Sequence, residues 1–217
     1  MLKKLTEEKI AEILETGISE FAQNGPDKAN INVIARKSGV SVGVVYKYYQ
    51  NKDAFFEACL RHALKVLERA IDDAVRGDCS ILIRAERLVR AVQRSAKEQP
   101  GYNVLYHEIT SGSCRRFAPA FAREIEEISA KAYAAFITQA QAKGEVRRDM
   151  DRRLFAFFFD NLLMMLQFSY SCDYYRERFR IFCGEDTLAD DEKVVAEFLR
   201  FFASAFGVER PRTPRRP

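Results

Sequence analysis

The segment at residues 30–52 constrains the fold most, because its sequence fits two short helices joined by a tight turn. Asn30 and Ser41 each precede a helical run as an N-cap, and Asn51 precedes the next helix. Gly39 lies between the two runs, where the chain must turn through a left-handed conformation. The inward-facing positions hold Ile34, Ala35, Val40 and Val45. The segment therefore predicts a helix-turn-helix.

Charge is distributed unevenly around this segment. The acidic residues upstream are concentrated in residues 7–27, whereas residues 28–52 contain none. The basic residues of that second stretch are Lys28, Arg36, Lys37, Lys47 and Lys52. A local excess of positive charge suits a surface that faces phosphates. Because the net charge of the chain is only +4, the signal lies in the clustering and not in the total.

The cysteine and histidine content argues against several classes of site. The five cysteines are odd in number and have no CxxC spacing, which predicts neither disulfides nor zinc and indicates a reducing, cytoplasmic setting. With only His62 and His107, the sequence predicts no metal, no cofactor and no enzyme activity. Cys172 and Cys183 could be redox sensors, although ordinary burial is the simpler interpretation.

Helical periodicity runs through nearly the whole chain, and no segment alternates as a strand does. The sequence therefore predicts an all-α protein of about nine helices, of which the fourth spans about 24 residues and an apolar one lies near 152–175. The N-terminal sequence is charged and amphipathic, unlike a signal peptide. The apolar stretch 154–170 is interrupted by Asp160, Asn161 and Gln167, which favours a buried helix over a membrane span.

The segment described first, with the apolar stripe of the helix before it, resembles the DNA-binding domain of TetR-family transcriptional regulators. The resemblance is carried by Ile34-Ala35, Ser38-Gly39-Val40-Ser41, Gly43, Tyr46, Tyr48-Tyr49 and Asn51-Lys52. The rest of the chain fits that family only in its helical architecture. The resemblance implies a DNA-binding domain at 1–52, an effector-binding and dimerisation domain at 53–207, and a homodimer on a palindromic operator. Residues 208–217 are predicted to be a disordered basic tail.

The resemblance also implies which residues contact DNA. They are Asn30, Ser41, Val42, Gly43, Val44, Tyr46, Lys47, Tyr48 and Lys52. The valines can touch only thymine methyl groups, and either could instead pack against the first helix. The tyrosine hydroxyls and Lys52 are expected on phosphates, and Lys47 on a base edge or a phosphate. Two positions depart from the family pattern: Val44 replaces a hydroxylated residue, and Tyr49, assigned to the core, replaces Phe.

The C-terminal part is rich in phenylalanine and methionine, which predicts a core, a dimer interface and a pocket for a small hydrophobic effector. The candidate lining is Tyr102, Tyr106, His107, Phe117, Tyr133, Phe136, Asp160, Met164 and Phe168. Asp160 lies in an apolar helix and needs a partner, either an arginine or a cationic ligand.

A dimer interface is predicted from two apolar helices. The helix at 154–170 is apolar on many faces, and the last helix carries a second apolar stripe. That stripe consists of Val194, Val195, Phe198, Leu199, Phe202 and Phe206. Two copies of this pair would form a four-helix interface across a two-fold axis. Taken together, the sequence favours a homodimeric, ligand-responsive transcriptional repressor. An activator and a constitutive nucleoid-type DNA-binding protein are the alternatives.

Overall fold

The structure is a computed structural model that describes residues 4–111, 114 and 116–207. The described residues form 11 α-helices and no strand, which confirms the predicted class with two more helices than expected. The first four helices are α1 (Glu7–Lys28), α2 (Ile31–Lys37), α3 (Val42–Tyr49) and α4 (Lys52–Val75). The middle three are α5 (Ile81–Glu98), α6 (Pro100–Ser111) and α7 (Ala118–Ala142). The last four are α8 (Arg152–Ser171), α9 (Asp173–Cys183), α10 (Glu185–Ala189) and α11 (Asp191–Ala205).

The chain divides into two compact units. The first contains the described residues up to Glu68 together with Gln99–Arg123, and the second contains Arg69–Glu98 with the described residues from Glu124 onward. Helices α4 and α7 therefore contribute residues to both units. The functional division at residues 52 and 53 stays a prediction, and the basic tail at 208–217 lies outside the described residues.

A close approach of α1 and α4 forms the core of the first unit. The Phe21 ring packs against Phe55 and Phe56, with centroids 5.7 and 4.9 Å away. At Gly17 the helices come so near that a Cβ atom would lie 2.6 Å from the Phe55 ring and 2.7 Å from the Cys59 sulfur. Only a residue without a side chain allows this contact, and Tyr49 of α3 packs on the same Phe55 ring at 4.9 Å.

Phenylalanine rings form much of the core of the second unit. Phe159 on α8 packs against Phe202 on α11 at 5.1 Å, and Phe155 packs against Phe206 at 3.8 Å. Helix α5 joins this layer, since its Arg90 forms a two-pronged ion pair with Glu192 at 2.6 and 2.8 Å. Aromatic packing thus joins α8 to α11, and an ion pair joins α5 to α11.

Two predictions for the last helices need correction. The predicted apolar helix near 152–175 ends at Ser171, because the backbone at Cys172 is extended, and α9 begins at Asp173. The predicted interface stripe is mostly buried within its own unit, since Val194, Val195, Phe202 and Phe206 are all in the core. Helix α8 exposes the large apolar side chains of Leu154, Phe157 and Phe158, and α11 exposes that of Phe201.

No helix in the part of the chain that the structure describes is both long enough and apolar enough to cross a membrane. The α8 sequence illustrates why, because Asp160, Asn161 and Gln167 interrupt its apolar residues.

Gly17→Ala should destabilise the folded protein by about 1–3 kcal/mol, because the added methyl group forces α1 and α4 apart. Chemical denaturation monitored by circular dichroism measures this. Gly43→Ala is the matched control, since the nearest atom to a Cβ there is 3.8 Å away. Equal stability of the two variants would contradict the close contact.

Candidate nucleic-acid interface and effector region

Local hydrogen bonds begin the helices of the predicted helix-turn-helix. The Asn30 side chain accepts from the Asn32 N–H at 2.9 Å, and the Ser41 hydroxyl accepts from the Val44 N–H at 3.3 Å. Asn51 accepts from the Ala54 N–H at 2.8 Å and so begins α4. Gly39 has a φ of +62°, the left-handed conformation that the turn requires. All four predicted signals are confirmed.

The inner face of the motif is apolar, as predicted. Ile34, Ala35 and Val45 are buried, whereas Val40 is only partly so. The turn is closed by a hydrogen bond of 2.9 Å from the Val40 N–H to the Ala35 carbonyl. This packing fixes the orientation of α3 against α2, and it leaves the opposite side of α3 uncovered by its own unit.

That uncovered side carries several of the residues predicted to contact DNA. Gly43, Tyr46 and Lys47 are exposed and share one face because they are spaced three and four residues apart. Val42 and Val44 are partly exposed, so each has surface left for another molecule. The arrangement presents small, aromatic and cationic groups together, with no carboxylate on α3.

The remaining predicted contacts lie at the end of α3 and the start of α4. The Tyr48 hydroxyl accepts from the Leu5 N–H at 2.8 Å, which leaves its own proton available for another acceptor. The Tyr49 ring packs on Phe55 at 4.9 Å, and burial raises the pKa of Tyr49 to about 12. The Lys52 ammonium donates to the Asp27 carbonyl oxygen at 2.6 Å.

A buried carboxylate that was not singled out from the sequence supports the motif from behind. Glu20 on α1 accepts from the Asn30 backbone N–H at 3.2 Å and from the Asn24 amide at 3.0 Å. The Lys37 ammonium lies 3.8 Å from the same carboxylate. Glu20 therefore ties α1 to both ends of α2. The sequence signal that could have revealed this role is the position of Glu20 three residues after Gly17, on the apolar face of α1, where an acid needs a partner.

Arg116 was missed for a different reason. Its guanidinium donates to Asp27 at 3.0 Å and to Asp53 at 3.1 Å, and it lies 4.7 Å from the centre of the Phe117 ring. These hydrogen bonds raise the pKa of Arg116. Arg116 and the two aspartates are far apart in sequence, so no local pattern indicates their meeting.

The predicted effector residues fall into both units. In the first, Tyr102 donates to the Glu15 carboxylate, whose oxygen also lies 2.9 Å from His62 Nε2. Phe117 is buried against Phe56 at 4.8 Å, and Tyr106 and His107 are partly buried. Tyr102 and Phe117 therefore each have a partner within the first unit, a carboxylate for Tyr102 and an aromatic ring for Phe117.

In the second unit the structure brings three of the candidates together. Tyr133 and Phe136 on α7 are buried, and both pack against Phe159 on α8, at 5.2 and 5.8 Å. Burial raises the pKa of the Tyr133 hydroxyl, and the charge of Asp160, which follows Phe159 on α8, adds to that rise. Met164 is partly buried one turn further along α8. Phe168 instead packs on Tyr175 of α9, at 5.4 Å.

The environment of Asp160 resolves one of the alternatives left by the sequence. Asp160 forms no ion pair with an arginine or lysine among the described residues. Burial raises its pKa to about 6; a hydrogen bond from Ser129 opposes this rise, and the Glu126 charge adds to it. Of the two partners that the sequence left open for Asp160, an arginine is therefore not found among the described residues.

The cysteines differ in their surroundings. None of the five, all of which are among the described residues, forms a disulfide; Cys172 is buried and Cys183 is exposed. Burial therefore accounts for Cys172 but not for Cys183. The Cys59 thiol is enclosed between α1 and α4, and burial raises its pKa.

Comparison with known proteins supports the helix-turn-helix assignment. Residues 13–59 match the sequence family described as bacterial regulatory proteins, tetR family. The HTH-type transcriptional regulator BetI of Pseudomonas aeruginosa is 24% identical over 162 residues, which are 64% of this chain and 82% of that protein. The probable acrEF/envCD operon repressor of Escherichia coli is 30% identical over 103 residues, 45% of this chain and 46% of that protein. These matches are to regulators and not to enzymes.

Solved structures share the whole fold at low sequence identity. A putative TetR-family transcriptional regulator from Rhodococcus sp. has a TM-score of 0.70 at 20% identity, covering 93% of this chain and 100% of that one. FadR from Bacillus subtilis, in complex with stearoyl-CoA, has a TM-score of 0.67 at 15% identity, covering 88% of this chain and 97% of that one.

Asp160→Asn should raise the free energy of unfolding near pH 7 by about 2 kcal/mol. The folded state holds the proton more tightly than the unfolded state, whose carboxyl has the ordinary pKa of 3.8. The stabilising contribution of the protonated Asp160 is thus fully present below pH 3.8, and it is lost as the pH rises through about 6. Melting temperatures between pH 4 and 8 should separate the variant from the parent only at the upper end. Parallel curves would contradict the shift.

Proposed function

Because this chain belongs to the TetR family of DNA-binding transcriptional regulators, we propose that it is a homodimeric repressor which a small hydrophobic molecule releases from its operator. The observation that carries the proposal is the uncovered side of α3, where Gly43, Tyr46 and Lys47 share an exposed face. An exposed recognition helix with basic flanks fits the major groove. Since the partner is DNA, the proposed site of action is the bacterial cytoplasm.

In the proposed complex, α3 enters the major groove by its N-terminal end. Ser41 and the two valines would face base edges, with Gly43 allowing the backbone to come close. Tyr46, which forms no hydrogen bond among the described residues, and Tyr48 would donate to phosphates. The Asn30 amide and the Lys52 ammonium, beside the start of α2 and of α4, would add two further phosphate contacts.

The proposed dimer interface uses the apolar surface that α8 and α11 expose. Leu154, Phe157 and Phe158 are 55%, 60% and 49% exposed, and Phe201 is 58% exposed. The two helices are neighbours, since Phe155 and Phe202 have ring centroids 6.4 Å apart. Large apolar side chains exposed together on a soluble protein commonly mark an interaction surface. Pairing two copies about a two-fold axis would bury more than about 1,200 Å².

The effector would act by changing the distance between two recognition helices, which a palindromic operator requires to be about 34–36 Å. Effector and DNA would then weaken each other's binding by a coupling of about 1–3 kcal/mol. A hydrophobic effector is supported by the stearoyl-CoA in the FadR structure, and repression by the name of the Escherichia coli relative. A transcription assay on the isolated operator separates repression from activation.

Lys52→Ala should weaken binding about equally on all DNA sequences, and it should lower the slope of log affinity against log salt by about one for each phosphate that is no longer neutralised. Val44→Thr should instead change base preference, because it introduces a hydroxyl where only methyl groups were. Fluorescence anisotropy over a salt series measures both effects. Lys65→Ala, on the exposed surface of α4, controls for the removal of one positive charge. An unchanged salt slope for Lys52→Ala would exclude its phosphate contact.

Phe158→Glu should convert the protein to monomers and weaken operator binding, because it places a charge in the proposed interface. Ile83→Glu, which changes an exposed side chain of α5, should leave the dimer intact. Phe202→Glu should prevent folding instead, since that ring is fully buried within its unit. Analytical ultracentrifugation gives the mass of each variant. The dimer is wrong if the unmodified chain sediments as a 25.0 kDa monomer at micromolar concentration.

A further inference from the structure

The residues just before α7 pack against α4 within the first unit. The Phe117 ring is buried and lies 4.8 Å from the Phe56 ring of α4. The Phe117 N–H donates to the Cys114 carbonyl oxygen at 2.8 Å, and the Cys114 side chain is itself fully buried. Arg116 therefore lies between two buried residues, which hold its backbone close to the first turns of α4.

The Arg116 side chain joins two carboxylates that come from different helices. Its Nη1 donates to Asp27 of α1 at 3.0 Å, and its Nη2 donates to Asp53 of α4 at 3.1 Å. The guanidinium also lies 4.7 Å from the centre of the Phe117 ring, so three contacts fix its orientation. Among the residues that the structure describes, no other basic side chain pairs with either aspartate. We call Arg116, Asp27 and Asp53 the arginine clasp.

The arginine clasp adjoins Lys52, for which a phosphate contact is proposed. The Lys52 ammonium donates to the Asp27 backbone carbonyl at 2.6 Å, and Asp53 follows Lys52 directly in α4. An ammonium group pairs readily with a neighbouring carboxylate that has no other cation. Because Arg116 occupies both carboxylates, the Lys52 ammonium is left on a neutral carbonyl oxygen.

Stability alone does not explain the arginine clasp. The side chains of Arg116, Asp27 and Asp53 are 44%, 71% and 51% exposed. Ion pairs between exposed side chains add little to the free energy of unfolding, because water and salt screen them. Removing the clasp should therefore leave the first unit folded, and its effect should appear in the function of the surface around it.

We propose that Arg116 is a positioning residue for DNA binding: it occupies both carboxylates of the clasp and so keeps the Lys52 ammonium available to a DNA phosphate. The inference rests on the proposed phosphate contact of Lys52, and it adds a residue that lies outside the helix-turn-helix. Without Arg116, the Lys52 ammonium pairs with the freed carboxylates, and these acids also repel the phosphate. Arg116 itself does not touch the DNA.

Arg116→Ala should weaken DNA binding by at least about fivefold at about 50 mM salt, because Lys52 is captured and the carboxylates repel the phosphate. The probe is a fluorescein-labelled duplex of mixed sequence and about 30 base pairs, which spans two half-sites one helical turn apart. Fluorescence anisotropy gives the affinity. Arg123→Ala, which removes an exposed arginine of α7, is the matched control and should bind as the parent does. Equal affinities of the two variants would overturn the proposal.

Removing the carboxylates separates this role from that of a structural brace. The double variant Asp27→Asn/Asp53→Asn breaks the same two ion pairs as Arg116→Ala does. A brace would be lost in both proteins, so both would bind DNA more weakly. The proposal predicts the opposite for the double variant, which should bind at least as tightly as the parent, because no carboxylate is left to capture Lys52. Weaker binding by the double variant would show that the clasp is a brace, and the proposal would be wrong.

The same double variant shows whether Arg116 touches DNA itself. Added to it, Arg116→Ala should lower the affinity by no more than about twofold, since the acids through which Arg116 acts are gone. A loss as large as in the parent background would assign Arg116 a direct phosphate contact and overturn the proposal. Arg116→Lys keeps a cation between the carboxylates and should retain more affinity than Arg116→Ala. Melting curves by circular dichroism establish that each variant is folded at the temperature of the assay.

Lys52→Ala separates this inference from the proposed function. In the parent it should lower the salt slope, whereas in the Arg116→Ala background it should change the slope much less, because the ammonium is already paired. If it lowers the slope equally in both backgrounds, the phosphate contact stands and the role of Arg116 is wrong. If it changes the slope in neither, the proposed phosphate contact is wrong, and the inference about Arg116 falls with it.

Discussion

The close contact between Gly17 of α1 and the Phe55 and Cys59 side chains of α4 underlies the proposed DNA-binding surface. Helices of seven and eight residues are too short to be stable alone, so α2 and α3 depend on a platform. Phe21, Phe55 and Phe56 supply that platform, and Ile34 and Val45 are buried with them in the same unit. Because α4 is the helix that continues into the second unit, this contact also fixes where that helix starts.

Local interactions were readable from the sequence. Each cap joins a side chain to an N–H two or three residues away, and the turn at Gly39 depends on a single backbone conformation. Such features need only the residue type and its immediate neighbours, so the positions of α2, α3 and the start of α4 were predicted correctly. The apolar periodicity of the longer helices was equally local, and it predicted the all-α class.

Long-range features were not readable in the same way. The last helix has apolar residues on two sides, and periodicity cannot tell which side meets its own chain; Phe202 is buried whereas Phe201 is exposed. The roles of Glu20 and Arg116 depend on partners that only the folded chain brings near. Asp160 lies between these cases, because its apolar surroundings were evident from sequence but the absence of a basic partner among the described residues was not.

The hydrogen bond from Lys52 to the Asp27 carbonyl has a consequence for the entropy of DNA binding. An unrestrained lysine side chain samples many rotamers, and fixing it costs up to about 2 kcal/mol. In Lys52 much of that freedom is already gone before DNA arrives, since one of its three N–H groups is bound to α1. The other two N–H groups can still donate to a phosphate. A proposed contact that is partly ordered in advance would therefore lose less entropy on binding than a surface lysine does.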